Sequence, residues 1–211
     1  MLALKLHEAG KKFQRDWIFK GLNLSLSSGT KLAITGNNGS GKSTLIKCLS
    51  AQMPLTEGKL SFFLGQQSIS PEGIYRYLTI SAPYLELPEE FTLKEFLDFH
   101  FQFKNPEKNI STTSLLRLLY LESAVNKPIS VFSSGMKQRL KLGICFFSDA
   151  PLVLLDEPTS NLDRRGIQWY RDMMDRFGKD KCLVIASNDP KEYDFCEQIL
   201  RLEDYKKHSF I

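Results

Sequence analysis

The chain has 211 residues, 42% of them hydrophobic, and a formal net charge of +4. That is enough for one large domain with a substantial core. The mild charge, with no basic run interleaved with aromatics, gives no reason to expect a nucleic-acid partner. No apolar run approaches the roughly 18 residues needed to cross a bilayer, and the first residues lack the basic start and cleavage site of a secretory leader. Four scattered cysteines, Cys48, Cys145, Cys182 and Cys196, show no C-x-x-C spacing. They read as small buried hydrophobes of a chain that stays in a reducing cytosol.

In chain order, residues 2–6 alternate like a strand, residues 10–16 are polar apart from Phe13, and residues 22–26 alternate again before a Ser-Ser-Gly turn. Antiparallel β-structure is therefore expected ahead of a buried strand at 31–35. Phe13 is either a plug for the core or an exposed platform for a flat ligand ring. A helix is expected from about Lys42 to Ser50, and strands at 57–64 and 77–81. Thr92 reads as the cap of a helix over 93–103, which carries more apolar residues than one face needs. Part of that helix is free to meet another protein. A second helix is expected at 111–121 and a third running to 147. Residues 152–156 form a continuous apolar run ending on an acid, as a central parallel strand does. A helix at 163–177, a strand at 181–186, a short helix at 191–196 and a strand at 198–202 complete the pattern. Strands alternating with helices imply an α/β fold with a mostly parallel, doubly wound sheet.

Two clusters carry chemistry. Gly36, Asn37, Asn38, Gly39, Ser40, Gly41, Lys42, Ser43 and Thr44 fit G-x-x-x-x-G-K-[ST] at every fixed position. Glycines allow successive backbone N–H groups to point at phosphate oxygens, and the following helix adds its positive end. Lys42 brings a compact charge to the β- and γ-phosphates, and Ser43 places a hydroxyl for Mg²⁺. Between a strand and a helix, this loop binds a nucleoside triphosphate. The second cluster is Asp156 and Glu157 at the carboxyl end of a strand, where ligands of open α/β sheets collect. Asp156 is placed to hold the metal through water, and Glu157 to take a proton from the water attacking the γ-phosphate.

With these residues in place, the whole chain resembles the nucleotide-binding subunit of an ATP-binding cassette (ABC) transporter. Phe132, Ser133, Ser134, Gly135 and Met136 stand where that family has its L-S-G-G-Q signature, and residues 158–163, ending on Asp163, resemble its D-loop. The resemblance implies a P-loop ATPase in which residues 1–81 and 151–211 form the core with an antiparallel β-subdomain. About 84–148 would then form a helical insertion. It implies ATP and Mg²⁺ as ligands, and a head-to-tail dimer in which Ser133, Ser134, Gly135 and Asp163 meet nucleotide across the interface. A separate integral-membrane permease, at whose inner face the subunit sits, completes the expected assembly. Phe13 takes the place of the aromatic that stacks on adenine. Two positions depart from the family. Tyr84 stands near an expected glutamine, with Glu86 close by in sequence, and Asn188 stands where a histidine usually contacts the γ-phosphate. An ABC-type ATPase without a transport role and a weakly hydrolysing regulator are the rival readings, the second kept open by those two departures.

The P-loop reading has a direct test. Lys42→Ala deletes a charge-assisted contact worth on the order of 3 kcal/mol, so ATP should bind roughly a hundredfold more weakly in a calorimetric titration. Near-normal affinity in that variant overturns the assignment of the loop.

Overall fold

In the computed structural model, residues 1–108 and 110–206 are described; residues 207–211 of the expected core segment lie outside them. Two sheets organise the chain. The first is antiparallel, in the order β2-β1-β4-β5, from β1 (Leu2–Phe13), β2 (Asp16–Ser27), β4 (Glu57–Leu64) and β5 (Gln67–Ile69). The second is parallel, in the order β6-β7-β8-β3-β9, from β3 (Lys31–Thr35), β6 (Leu78–Ser81), β7 (Leu152–Asp156), β8 (Cys182–Ala186) and β9 (Gln198–Arg201).

The parallel sheet is buried on both faces, which is why its strands read as unbroken apolar runs. Along β7, Leu152 and Leu154 face the antiparallel sheet and α1 (Lys42–Leu49), while Val153 and Leu155 face the other helices. Those helices are α2 (Leu93–Phe103), α3 (Thr112–Leu119) and α4 (Ser134–Phe146), all between β6 and β7, and α5 (Arg164–Phe177) after β7. Each begins where a side chain can satisfy the free N–H groups of its first turn. Thr92 forms a reciprocal capping box with Glu95, and Ser111, Ser133 and Asp163 cap α3, α4 and α5.

One expectation gains detail and one is corrected. The polar residues 10–16 extend the antiparallel β-structure: β1 and β2 continue as a hairpin, with Lys11 opposite Phe19 and Lys12 opposite Trp17, leaving only a tight turn. The Lys11 ammonium donates to Pro54 O at 2.8 Å, and Lys12 stands over the Trp17 ring. Residues 191–196 are not a helix. Only the 3₁₀ turn Pro190–Glu192 forms, because Tyr193 leaves helical geometry at φ −141° and Glu192 is turned inward.

The excess of aromatics on α2 divides by depth. Phe96 and Leu97 are buried, whereas Phe99 and Phe103 remain 47% and 63% exposed, stacked edge-on with centroids 5.1 Å apart. Thr92→Ala removes the cap that starts this helix and should cost about 1 kcal/mol in urea unfolding, with Thr92→Ser retaining most of it. An unchanged midpoint shows that packing alone holds α2.

Candidate functional site

Four parallel strands deliver the expected residues to one edge. β3 ends at Thr35 and leads into the loop Gly36–Thr44; β7 ends at Asp156; β8 is followed by Asn188; β6 is followed by Tyr84. Register places Asp156 opposite Ala186 and Ser81 opposite Leu155, so these ends are level.

Within the loop, Gly36, Gly39 and Gly41 have φ of 146°, 78° and 107°, a region side-chain-bearing residues rarely enter. Gly41 has a second reason to be glycine: a Cβ there would lie 2.0 Å from Ile18 Cγ2, so β2 packs directly on the loop. Lys42 is buried, and its ammonium donates to the carbonyls of Gly36 at 2.7 Å and Asn37 at 3.2 Å. Asn188 donates from Nδ2 to Asn38 Oδ1 at 2.8 Å, which brings the segment after β8 onto the phosphate loop. Sequence reasoning did not find Ile18 or Glu203. The Glu203 carboxylate accepts from the Asn37 backbone N–H at 2.9 Å, from the 3₁₀ turn Leu202–Tyr205. No local motif signals a partner 166 positions away.

Asp156 is 2% exposed, and its Oδ2 has no hydrogen-bond partner among the described residues. Burial holds its carboxyl above the ordinary carboxylate range; the Ser43 hydroxyl pulls it down, the Glu157 charge pushes it up, and Lys42 and Lys47 lower it. A buried hard oxygen beside a hydroxyl, short of positive charge, is a donor set that suits Mg²⁺. Glu157 is exposed, with φ 47°, and its N–H donates to Ala186 O at 2.9 Å. Such backbone strain is typical of functional positions. Tyr84 lies close enough to Asp156 that burial and that charge push its phenol up to about 12, and Lys47 Nζ sits 4.0 Å from its ring centroid. Glu86 does not join it. Its charge instead supports the half-buried ammonium of Lys141 on α4.

Ser133 accepts from the Met136 N–H at 3.2 Å as it caps α4. Ser133, Ser134 and Gly135 line a cleft of about 290 Å³ with Asn161 and Asp163, and none of residues 36–44 lines it. The Asp163 carboxylate is spent on the Gly166 N–H at 2.7 Å. Within this chain one of its oxygens therefore serves as the cap of α5. Phe13, at the tip of the β1–β2 hairpin, is 45% exposed, which removes the core-plug reading. Lys11 stands 5.3 Å from its ring, and the neighbouring Trp17 lies between Lys12 and Lys20, at 5.3 and 4.4 Å. The cysteine thiols are held in the protonated form by burial, Cys48 up to about 11 and Cys145, Cys182 and Cys196 to about 12.

A glycine-rich loop between β3 and α1, facing an acid at the end of a parallel strand, defines a P-loop nucleotide-binding protein. Comparison narrows the class. The family model described as ABC transporter matches residues 19–160. The chain is 33% identical over 178 residues to the cytochrome c biogenesis ATP-binding export protein CcmA of Reclinomonas americana, covering 81% of this chain and 77% of that one. It is 30% identical over 185 residues to ABC transporter A family member 8 of Dictyostelium discoideum, covering 86% of this chain but 22% of that one, about a fifth of its length. A solved structure, the dimeric form of MJ0796, a bacterial ABC transporter cassette, superposes with a TM-score of 0.75 at 22% identity over 94% of this chain and 93% of that one. The chain belongs to the ABC transporter family, as an ATP-binding cassette. Phe13, Asp163 and Asn188 fall outside the matched span.

The loop geometry yields a prediction. Gly41→Ala both strains φ and collides with Ile18, so it should displace Lys42 and weaken ATP binding by at least tenfold, measured by titration alongside circular dichroism. Wild-type affinity shows that the loop accommodates a Cβ and that the contact with β2 is loose.

Proposed function

We propose that this chain hydrolyses ATP to drive transport through a separate membrane permease, working as a pair of copies at the inner face of the membrane. The observation that carries this reading is the convergence of Lys42, Ser43, Asp156, Glu157 and Asn188 on one sheet edge, with the Ser133–Gly135 cleft lined by none of residues 36–44. One copy then has half of each site. The similar cassette, 22% identical, is described as dimeric, which supports a pair of copies. The exposed Phe99 and Phe103 on α2 support a protein partner, and among the described residues no helix is long and apolar enough to cross a membrane itself.

The geometry supports the following roles. The N–H groups of residues 36–44 and the start of α1 hold the triphosphate, and Lys42 turns from its loop carbonyls to the β- and γ-phosphates. Ser43 and Asp156 would hold Mg²⁺, which neutralises charge on the transferred group when bound. Glu157 is exposed at the strand end, where it can accept a proton from the attacking water. Asn188 supplies a neutral dipole toward the γ-phosphate, a weaker aid than a cationic side chain. Phe13 offers its face to the adenine ring, and Ser133, Ser134 and Gly135 take the partner copy's phosphate at the start of α4.

Glu157→Gln keeps shape and removes the proton acceptor, so turnover should fall by about 10²-fold or more while ATP still binds. Asn188→Ala should cost on the order of tenfold. Phosphate release at saturating ATP, measured on the full chain, checks both. A wild-type chain that binds ATP and closes into a dimer without releasing phosphate points instead to a regulatory binder, and co-purification with no polytopic membrane protein counts against transport.

A further inference from the structure

Beside the nucleotide-facing groups lies a buried carboxylate to which none of the roles above has been given. Glu192 is 4% exposed, a position an acid occupies only when its oxygens are satisfied. Its Oε1 accepts from the Thr159 backbone N–H at 2.7 Å and from the Thr159 hydroxyl. The turn carrying it is fixed from α5: Tyr170 donates its hydroxyl to Glu192 O at 3.0 Å, and Arg171 donates to Lys191 O at 3.1 and 3.2 Å and pairs with Asp194. Two residues before Thr159 stands Glu157, at φ 47°. From another element, buried Gln138 on α4 donates from Nε2 to Pro158 O at 2.6 Å. The segment after the strained acid is thus gripped by two buried side chains from different elements.

We infer that Glu192 is a positioning residue for hydrolysis: its carboxylate, bonded to Thr159, holds Glu157 in the geometry from which it takes the proton. Strain of this kind persists only where surroundings over-determine it, and Glu192 with Gln138 supplies that determination. The same turn follows Asn188, and α4 begins at Ser133, so these two bonds also join the loop after β8, the acid at the end of β7 and the helix of the signature cleft. The inference rests on Glu157 being the base proposed above.

The test measures kcat by phosphate release and nucleotide affinity by titration with a non-hydrolysable ATP analogue, on the full chain. Glu192→Ala should lower kcat about 10- to 100-fold with analogue affinity within twofold of wild type, because the phosphate loop is untouched. Glu192→Gln keeps an oxygen acceptor for Thr159 and should restore kcat to within about threefold. Thr159→Val, which removes only the hydroxyl, should lose rate as well, and combined with Glu192→Ala should cost no more than Glu192→Ala alone, the mark of a shared interaction. If Glu192→Ala does not fold, the Thr159→Val and Glu192→Gln rates decide: both at wild-type level overturn the inference. So does wild-type kcat in folded Glu192→Ala when Glu157→Gln is inactive. Wild-type kcat in Glu157→Gln overturns the base assignment itself, and the positioning role with it.

Discussion

A parallel sheet covered on both faces leaves only its strand ends free for chemistry. In this chain the alternation along β7, with Leu152 and Leu154 toward α1 and Val153 and Leu155 toward α4 and α5, closes both faces. At roughly 25 cal/mol per Å² of apolar area, burial of such strands dominates the stability of the fold. It also brings the carboxyl ends of β3, β6, β7 and β8 out at one edge. The phosphate loop, Tyr84, Asp156 and Asn188 share a neighbourhood because hydrophobic burial aligned the strands that carry them.

At that edge the local charges are balanced by arrangement rather than by number. The charges of Lys42 and Lys47 act on Asp156, but Lys42 donates to carbonyls of its own loop and Lys47 lies over the Tyr84 ring. Asp156 therefore keeps an oxygen unpaired in a buried place. An unpaired buried oxygen is costly in isolation, and a bound cation relieves that cost. That arrangement supports the proposed anion at the loop and the proposed cation at the acid.

The parts legible in the sequence are those whose cause is local. The loop Gly36–Thr44, the cap at Thr92 and the run ending at Asp156 each contain their own explanation within a few residues. Contacts formed by topology were not legible. Asn188 meets Asn38 across 150 positions and Glu203 meets Asn37 across 166, and nothing near either residue announces the partner. The short helix expected at 191–196 failed for a related reason: Glu192 turns inward to Thr159 and the chain leaves helical geometry at the next residue, Tyr193, a bond between distant segments outweighing local propensity. The hairpin tip was not legible because cross-strand pairing, not hydrophobic alternation, sustains β1 and β2 there.

The two tryptophans occupy contrasting surroundings. Trp17 sits in the β1–β2 hairpin between Lys12 and Lys20, one strand across from the segment that ends in Phe13. Trp169 is buried on α5, its indole N–H donating to Leu118 O at 2.7 Å, which ties α5 to the end of α3. Each indole therefore samples a different dielectric, one ionic and half-wet, the other dry and hydrogen-bonded. The molecule carries two intrinsic optical reporters: emission from Trp17 tracks the hairpin that carries Phe13, and emission from Trp169 tracks the seating of α5 against α3.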